Sequence, residues 1–170
     1  MSRAAETLAV RPARDGDRAA VLQIYNHYVA TTAVTFDTRT FTRAERAGWF
    51  GQFAPEGPHR LLVAERAGAV AGWAASMRLR PKPAYDRSVE TTVYVAPDAL
   101  GQGVGRRLCD RLLAELAVAG LHRAYAVIAL PNPASVALHR RLGYRHVGTL
   151  SEAGHKFGRY WDVAWYERPL

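Results

Sequence analysis

Cysteine is almost missing. Cys109 stands alone among 170 residues, which excludes an intramolecular disulfide and any Cys-rich zinc module and fits a reducing cytosol. Lysine is nearly as scarce: of the 23 basic residues only Lys82 and Lys156 are not arginine. The arginines are scattered, with no block of five or six, so the formal charge of +8 describes a solvated basic surface rather than a nucleic-acid footprint. A dispersed positive field still draws in small anionic ligands. Apolar runs fall far short of the ~20 residues that cross a bilayer, and the start of the chain lacks the apolar core of a secretory signal. These absences predict a soluble, cytoplasmic protein with no membrane, nucleic-acid or metal partner.

What is present is enough for one ordinary domain over residues 1–170, with no repeat, low-complexity tract or linker. A chain of this size buries roughly 70% of its unfolded surface and needs no disulfide or metal to fold. A short strand is expected at residues 8–11. Asp15 and Asp17 then precede Ala19, Val21, Leu22, Ile24, Tyr25 and Tyr28, apolar positions at helical spacing behind an acidic first turn. The pattern predicts a second helix over 43–53, strands at 61–65 and 70–76 around the turn Arg66-Ala67-Gly68-Ala69, and a strand at 88–95. A long helix follows at 103–119, stopped by Gly120. A buried strand at 125–130, a helix at 134–142 and strands within 144–150 and 160–167 complete the chain. Several adjacent strands precede the first strand-helix-strand crossover, so the fold class is α+β with a central mixed and mostly antiparallel sheet flanked by helices.

Val93-Tyr94-Val95 leads through Pro97 into Gly101-Gln102-Gly103-Val104-Gly105-Arg106, where the long helix begins. Alternating glycines at a strand-to-helix junction let backbone N–H groups converge on an anion at the helix N-terminus, and Arg106 adds charge nearby. A glycine-rich turn without a ligand reads the same in isolation. The spacing is not GxGxxG, and no Gly-Lys-Ser/Thr ending marks a P-loop. Some thirty residues on, Asn132-Pro133-Ala134-Ser135-Val136-Ala137-Leu138-His139 opens a helix directly after the buried strand. Asn132 and Ser135 place polar side chains three residues apart at its first turn, although helix capping alone explains either.

Together these two elements resemble the Gcn5-related N-acetyltransferase (GNAT) superfamily, which implies the GNAT fold and acetyl-CoA as acetyl-donor co-substrate. The resemblance implies that the turn from Gly101 to Arg106 grips the pyrophosphate. It also implies that Val93, Tyr94 and Val95 hydrogen-bond the pantetheine arm and that Asn132 and Ser135 contact the rest of it. One position departs: Leu100 stands where the family usually has Arg or Gln, and Gln102 is expected to substitute in part. Tyr25-Asn26-His27-Tyr28, Thr35-Phe36-Asp37, Leu79-Arg80-Pro81, Ala84-Tyr85, Val89-Glu90-Thr91-Thr92-Val93-Tyr94-Val95 and Lys156-Phe157-Gly158-Arg159 look like the phosphinothricin (methionine sulfoximine) acetyltransferase subfamily. That likeness implies a homodimer that acetylates the α-amino group of small glutamate-like amino acids.

By the same resemblance, Phe36, Arg80, Pro81, Lys82, Glu90, Thr91 and Thr92 line the acceptor pocket. An α-ammonium must lose a proton before it attacks a thioester, and Glu90 matches the family's base; an ordinary ion pair with Arg80 or Arg87 is its other reading. A backbone N–H in Tyr94 or Val95 is placed to stabilise the developing oxyanion. His139 stands where many relatives have tyrosine and is expected to hydrogen-bond the leaving sulfur. Arg80, seconded by Lys82, offers a cationic fork for an oxyacid side chain. Cys109 reads as core packing. The same scaffold serves other small amines and peptide N-termini, and fold does not fix the acceptor; a CoA-binding sensor without turnover is a third reading.

Overall fold

The computed structural model describes residues 8–170. Among these residues seven strands form one sheet in the order β1-β2-β3-β4-β5-β7-β6. They are β1 (Ala9–Pro12), β2 (Leu61–Arg66), β3 (Ala69–Arg78), β4 (Ser88–Val95), β5 (Arg123–Ala129), β6 (Arg145–Lys156) and β7 (Arg159–Pro169). Every pairing is antiparallel except β4 with β5, so the α+β reading with a mixed, mostly antiparallel sheet holds. Helices α1 (Arg18–Thr31), α2 (Ala47–Gly51), α3 (Val104–Val118) and α4 (Pro133–Arg141) flank it. No helix among the described residues is long and apolar enough to cross a membrane.

The strands in the middle of the sheet are apolar along their length because both faces are covered: Leu61 to Ala64 of β2 are all buried, as expected of strands packed on two sides. On one face α1 and α2 set Val21, Leu22, Ile24 and Phe50 against Leu61, Val63 and Trp73. On the other, Leu108, Leu112 and Leu116 recur every four residues along α3, and with Cys109 they pack on Leu62, Val89, Ala124 and Ala126. The β2–β3 hairpin turns at Ala67 and Gly68, both at positive φ (51° and 77°), the type I′ geometry that matches strand twist.

Two elements depart from expectation. The helix foreseen over 43–53 is only Ala47–Gly51. Thr42 and Glu45 close a reciprocal capping box, with Thr42 N–H donating to Glu45 (2.8 Å) and Glu45 N–H to Thr42 Oγ1 (3.3 Å), but residues 43–46 stay in turns. Gly48 and Gly51 each weaken the helix by roughly 1 kcal/mol against alanine. Conversely β6 runs on to Lys156, past irregular pairing between Leu150 and Gly154. The polar run Ser151-Glu152 hides this strand in the sequence; Glu152, at φ 53°, is held by its N–H donating to Asp162 Oδ1 at 2.8 Å.

Candidate active site

β4 pairs with β3 from Val89 to Val95 but with β5 only at Ser88–Glu90. Beyond Glu90 the two strands part, and β5 continues against β7 to Ala129. The Ala96 N–H donates to the Ala71 carbonyl at 2.9 Å. In a regular antiparallel ladder the backbone groups of alternate residues then also turn toward β3. Those of Tyr94 and Thr92 do so, while Val95, Val93 and Thr91 turn toward the opening. The Val95 carbonyl already accepts from Tyr28 Oη at 2.6 Å, which leaves the Val93 and Val95 N–H groups facing a cleft of about 330 Å³.

The glycine turn lies beyond the end of β4. Gly101 and Gly103 have φ of 73° and 78°, a region that costs other L-residues roughly 1–2 kcal/mol. Gly103 is the N-cap of α3. A Cβ at Gly103 would meet nothing, whereas one at Gly105 would lie 3.4 Å from Val95 Cγ2 and 3.5 Å from Leu138. Gly103 is thus required for its conformation, whereas a Cβ at Gly105 would make only ordinary van der Waals contact with β4 and α4. Val104 is buried beneath the turn. The Gln102 amide is already engaged: it donates to the Asp98 carbonyl (2.9 Å) and accepts from Arg66. Arg66, which no sequence motif singled out, therefore stands beside the turn, while Arg106 pairs with Asp110 at 2.7 Å and Leu100 is exposed.

Asn132 is the N-cap of α4, its Oδ1 accepting from the Ser135 N–H at 3.1 Å, and Pro133 begins the helix, a position where its missing N–H costs nothing. This cap aims the first turn of α4 at the cleft, which Asn132, Ser135 and His139 line. His139 is 5% exposed, and burial lowers its pKa from the usual value. Its Nδ1 lies 2.8 Å from the Ser135 carbonyl. A carbonyl only accepts, so Nδ1 carries the proton of the neutral ring and Nε2 holds a free lone pair. The neutral ring therefore presents an acceptor at Nε2, the reverse of the donor role foreseen for it.

A second cavity of about 250 Å³ lies on the α1 and α2 side of β4, lined among others by Phe36, Arg46, Glu90, Thr92 and Tyr94. Alternation along the strand turns Glu90, Thr92 and Tyr94 to this face and Thr91, Val93 and Val95 to the other. Thr91, expected in the acceptor pocket, accordingly does not line this cavity. It is buried, bonded to the Tyr125 carbonyl (3.1 Å) and the Tyr144 hydroxyl (2.7 Å), and reaches the cleft instead. Desolvation raises the Glu90 pKa, and the charge of Arg80 partly offsets it. Arg80, Pro81 and Lys82 are exposed on the β3–β4 connection and do not line the cavity; the Arg80 guanidinium sits 5.3 Å from the Trp165 ring.

Phe36 forms the opposite wall. Its ring rests on Gly154, where a Cβ would lie 2.2 Å from ring carbons. The loop that carries it is pinned by Lys156, a buried lysine whose Nζ donates to the Val29 carbonyl (2.7 Å) and the Thr35 carbonyl (2.9 Å). Tyr25, Arg46 and Trp49 complete the far end, with Asp37 bonded to two of them. Tyr25 Oη donates to Asp37 (2.5 Å), as does Arg46 (2.8 Å). Tyr25, Asp37 and Lys156 lie in the runs that carried the family resemblance, without a role attached; Arg46 had no sequence signal. Among the described residues no cluster of His, Cys, Asp or Glu is arranged to hold a metal.

The cleft and the cavity share Val34, Thr92, Tyr94, Val127 and Ala129 in their walls. Two substrates entering from opposite sides of β4 would therefore meet at Thr92, one near a carboxylate and the other near free backbone N–H donors. That geometry defines a group transferase that joins two bound substrates directly. The chain belongs to the acetyltransferase (GNAT) family, whose sequence model matches residues 21–144, and it is an acetyl-CoA-dependent acetyltransferase. It is 55% identical over 163 residues, covering 95% of both chains, to phosphinothricin N-acetyltransferase of Streptomyces coelicolor. It is 35% identical over 162 residues (95% of this chain, 94% of the relative) to L-methionine sulfoximine/L-methionine sulfone acetyltransferase of Pseudomonas aeruginosa. A GNAT superfamily phosphinothricin acetyltransferase from Sinorhizobium meliloti, solved in complex with AcCoA, superposes with a TM-score of 0.91 at 33% identity, over 96% of this chain and 89% of that one.

Proposed function

We propose that the protein acetylates the α-amino group of a small glutamate-like amino acid whose side chain ends in a phosphinate, sulfoximine or sulfone. One observation carries the reading. A cavity of about 250 Å³, smaller than the ~300–1,000 Å³ of drug-sized sites and suited to an amino acid, meets the parted β4–β5 edge beside Glu90. The names of the relatives at 55% and 35% identity support the acceptor class.

The cleft fits acetyl-CoA, because it offers an unpaired strand edge and a left-handed glycine turn at a helix N-terminus, both of which attract an elongated ligand with phosphates at one end. Gly101, Gln102, Gly103, Val104, Gly105 and Arg106 would hold its pyrophosphate, and Val93, Val95, Asn132 and Ser135 its pantetheine arm. Bound there, it supplies the activated acetyl group. Glu90 takes the proton from the α-ammonium, and its raised pKa makes it a stronger base than an exposed carboxylate. The nitrogen sheds a second proton as the amide forms, for which His139, neutral with Nε2 unprotonated, is an acceptor on the cleft side, while the C–S bond breaks and CoA leaves as a thiolate that solvent protonates. The Val95 N–H faces the cleft as a donor for the oxygen that gains charge when an amine adds to a thioester. Arg80 acts on the acceptor from outside the cavity, where its charge reaches Glu90; Pro81 and Lys82 also lie outside the lining.

The protein acts as a homodimer in the cytoplasm. Its edge hairpin exposes Leu150, Phe157 and Tyr160, apolar surface that a second copy would cover. Light scattering at micromolar concentration is expected to give the dimer mass, and a monomer mass would refute assembly. Release of CoA thiol with phosphinothricin, methionine sulfoximine and methionine sulfone, measured beside polyamines, aminoglycosides and peptide N-termini, tests the acceptor. Higher kcat/KM on any of the latter overturns the proposal.

A further inference from the structure

The far end of the acceptor cavity holds a cation that the sequence did not single out. Arg46 lines the cavity, with its guanidinium carbon 3.9 Å from the Phe41 ring centre, 4.8 Å from Tyr25 and 5.6 Å from Trp49. Tyr25 in turn packs edge-on against Tyr94, so this cation belongs to the Tyr94 end. Glu90 lies four residues back along β4, roughly 13 Å at the usual strand rise.

A guanidinium has five N–H donors. Among the described residues Arg46 uses one, from Nη2 to Asp37, and its Nε is buried without a partner. Aromatic faces favour the cation but accept no hydrogen bonds in the plane of the fork. The charges here do not cancel either. Asp37 pairs with Arg46 alone, and the Lys156 ammonium, bonded to the Thr35 carbonyl behind the wall, is a second cation within reach of its charge. A half-buried guanidinium with spare donors and net positive surroundings is the complement of an anionic or strongly polar oxygen group.

We propose that Arg46 determines acceptor specificity by receiving the oxygen-bearing end of the acceptor side chain, while Glu90 faces the α-amine. The inference rests on the acceptor class proposed above and assigns its two ends. The amine lies beside β4, the methylene stem crosses the Phe36 wall, and the terminal oxygens meet the Arg46 fork. Arg80, exposed on the β3–β4 connection, is left for the α-carboxylate.

The test is steady-state kinetics of the wild type, Arg46→Met and Arg46→Lys with phosphinothricin, whose side chain is anionic, and methionine sulfone, whose side chain is neutral. Loss of charge-assisted hydrogen bonds is expected to raise the phosphinothricin KM about 10- to 100-fold in Arg46→Met. The methionine sulfone KM should rise by a smaller factor, and the acetyl-CoA KM should not move. Equal rises for both acceptors, or no rise, overturn the inference, because a wall-forming role would not distinguish them. If Arg46→Met does not fold, Arg46→Lys decides: it keeps the charge but not the fork, so the preference between the two acceptors should change, and an unchanged preference overturns the inference. A wild-type enzyme that turns over neither acceptor removes the acceptor class and this inference together, whereas active enzyme with unaltered selectivity removes this inference alone.

Discussion

Gly154→Ala is the smallest change that tests how the acceptor cavity is built. The new methyl would lie 2.2 Å from Phe36 Cε2 and Cζ and 2.7 Å from Cε1. Carbon atoms rest about 3.5–4.0 Å apart, so the ring must retreat by about 1.5 Å or β6 must yield. The loop behind Phe36 is fixed by the two Lys156 hydrogen bonds at 2.7 and 2.9 Å, so the ring moves into the cavity rather than away with its backbone. Overpacking of this kind typically costs about 1–3 kcal/mol. Because a side chain can swing, the lower part of that range applies, and at about 2–4 °C per kcal/mol for a chain of this size Tm should fall by about 2–6 °C. Function should suffer more: a cavity of about 250 Å³ has little room to lose, and a misplacement near 1 Å costs up to about 100-fold. Thermal unfolding and acceptor kinetics at saturating acetyl-CoA measure both. An acceptor KM and kcat equal to the wild type would refute the placement of Phe36 as a cavity wall, whatever happened to Tm.

Gly103→Val should weaken acetyl-CoA binding while leaving the fold intact, because strain at a left-handed N-cap, not a clash, disfavours valine there; unchanged calorimetric affinity refutes the role of the turn. Glu90→Gln should lower kcat by roughly 10²–10⁴-fold with acetyl-CoA affinity retained. The same variant should be more stable than the wild type at neutral pH. A carboxylate with a raised folded pKa favours the folded state fully only below its unfolded value, and that contribution fades as pH rises through the folded pKa; the stability difference between the two proteins should therefore close as pH falls below the ordinary carboxylate value of 4.5. His139 should show nitrogen NMR shifts of a neutral ring protonated at Nδ1 at pH 7, and charge only below the usual ~6.5; a ring protonated at Nε2 would restore the donor role to the leaving sulfur.

The glycine turn and the α4 cap were legible because their requirements are local. A left-handed turn at Gly101 and Gly103 and the Asn132 cap are written in contiguous residues, and their chemistry follows from backbone geometry. The acceptor side is assembled from distant segments. Arg46 comes from a stretch read as plain helix, Asp37 and Phe36 from a loop, and Lys156 from a strand whose extension lies behind irregular pairing. Only packing on the sheet brings them together. Thr91 could have been excluded from the acceptor pocket on sequence alone, since Glu90, Thr91 and Thr92 cannot all face one side of a strand. The partners of the Gln102 side chain are hidden for a different reason: Arg66 reaches it from the β2–β3 hairpin, a contact no spacing announces.

The measurement that tests the account most directly is product analysis of wild-type enzyme with acetyl-CoA and phosphinothricin or methionine sulfone, beside Glu90→Gln. Mass spectrometry should locate one acetyl group on the α-nitrogen, matched mole for mole by released CoA thiol, with the reaction slowed but acetyl-CoA still bound in the variant. Thiol release without an acetylated acceptor, or wild-type rates in Glu90→Gln, would contradict the claim that the two cavities meet at Thr92, beside a proton-accepting carboxylate.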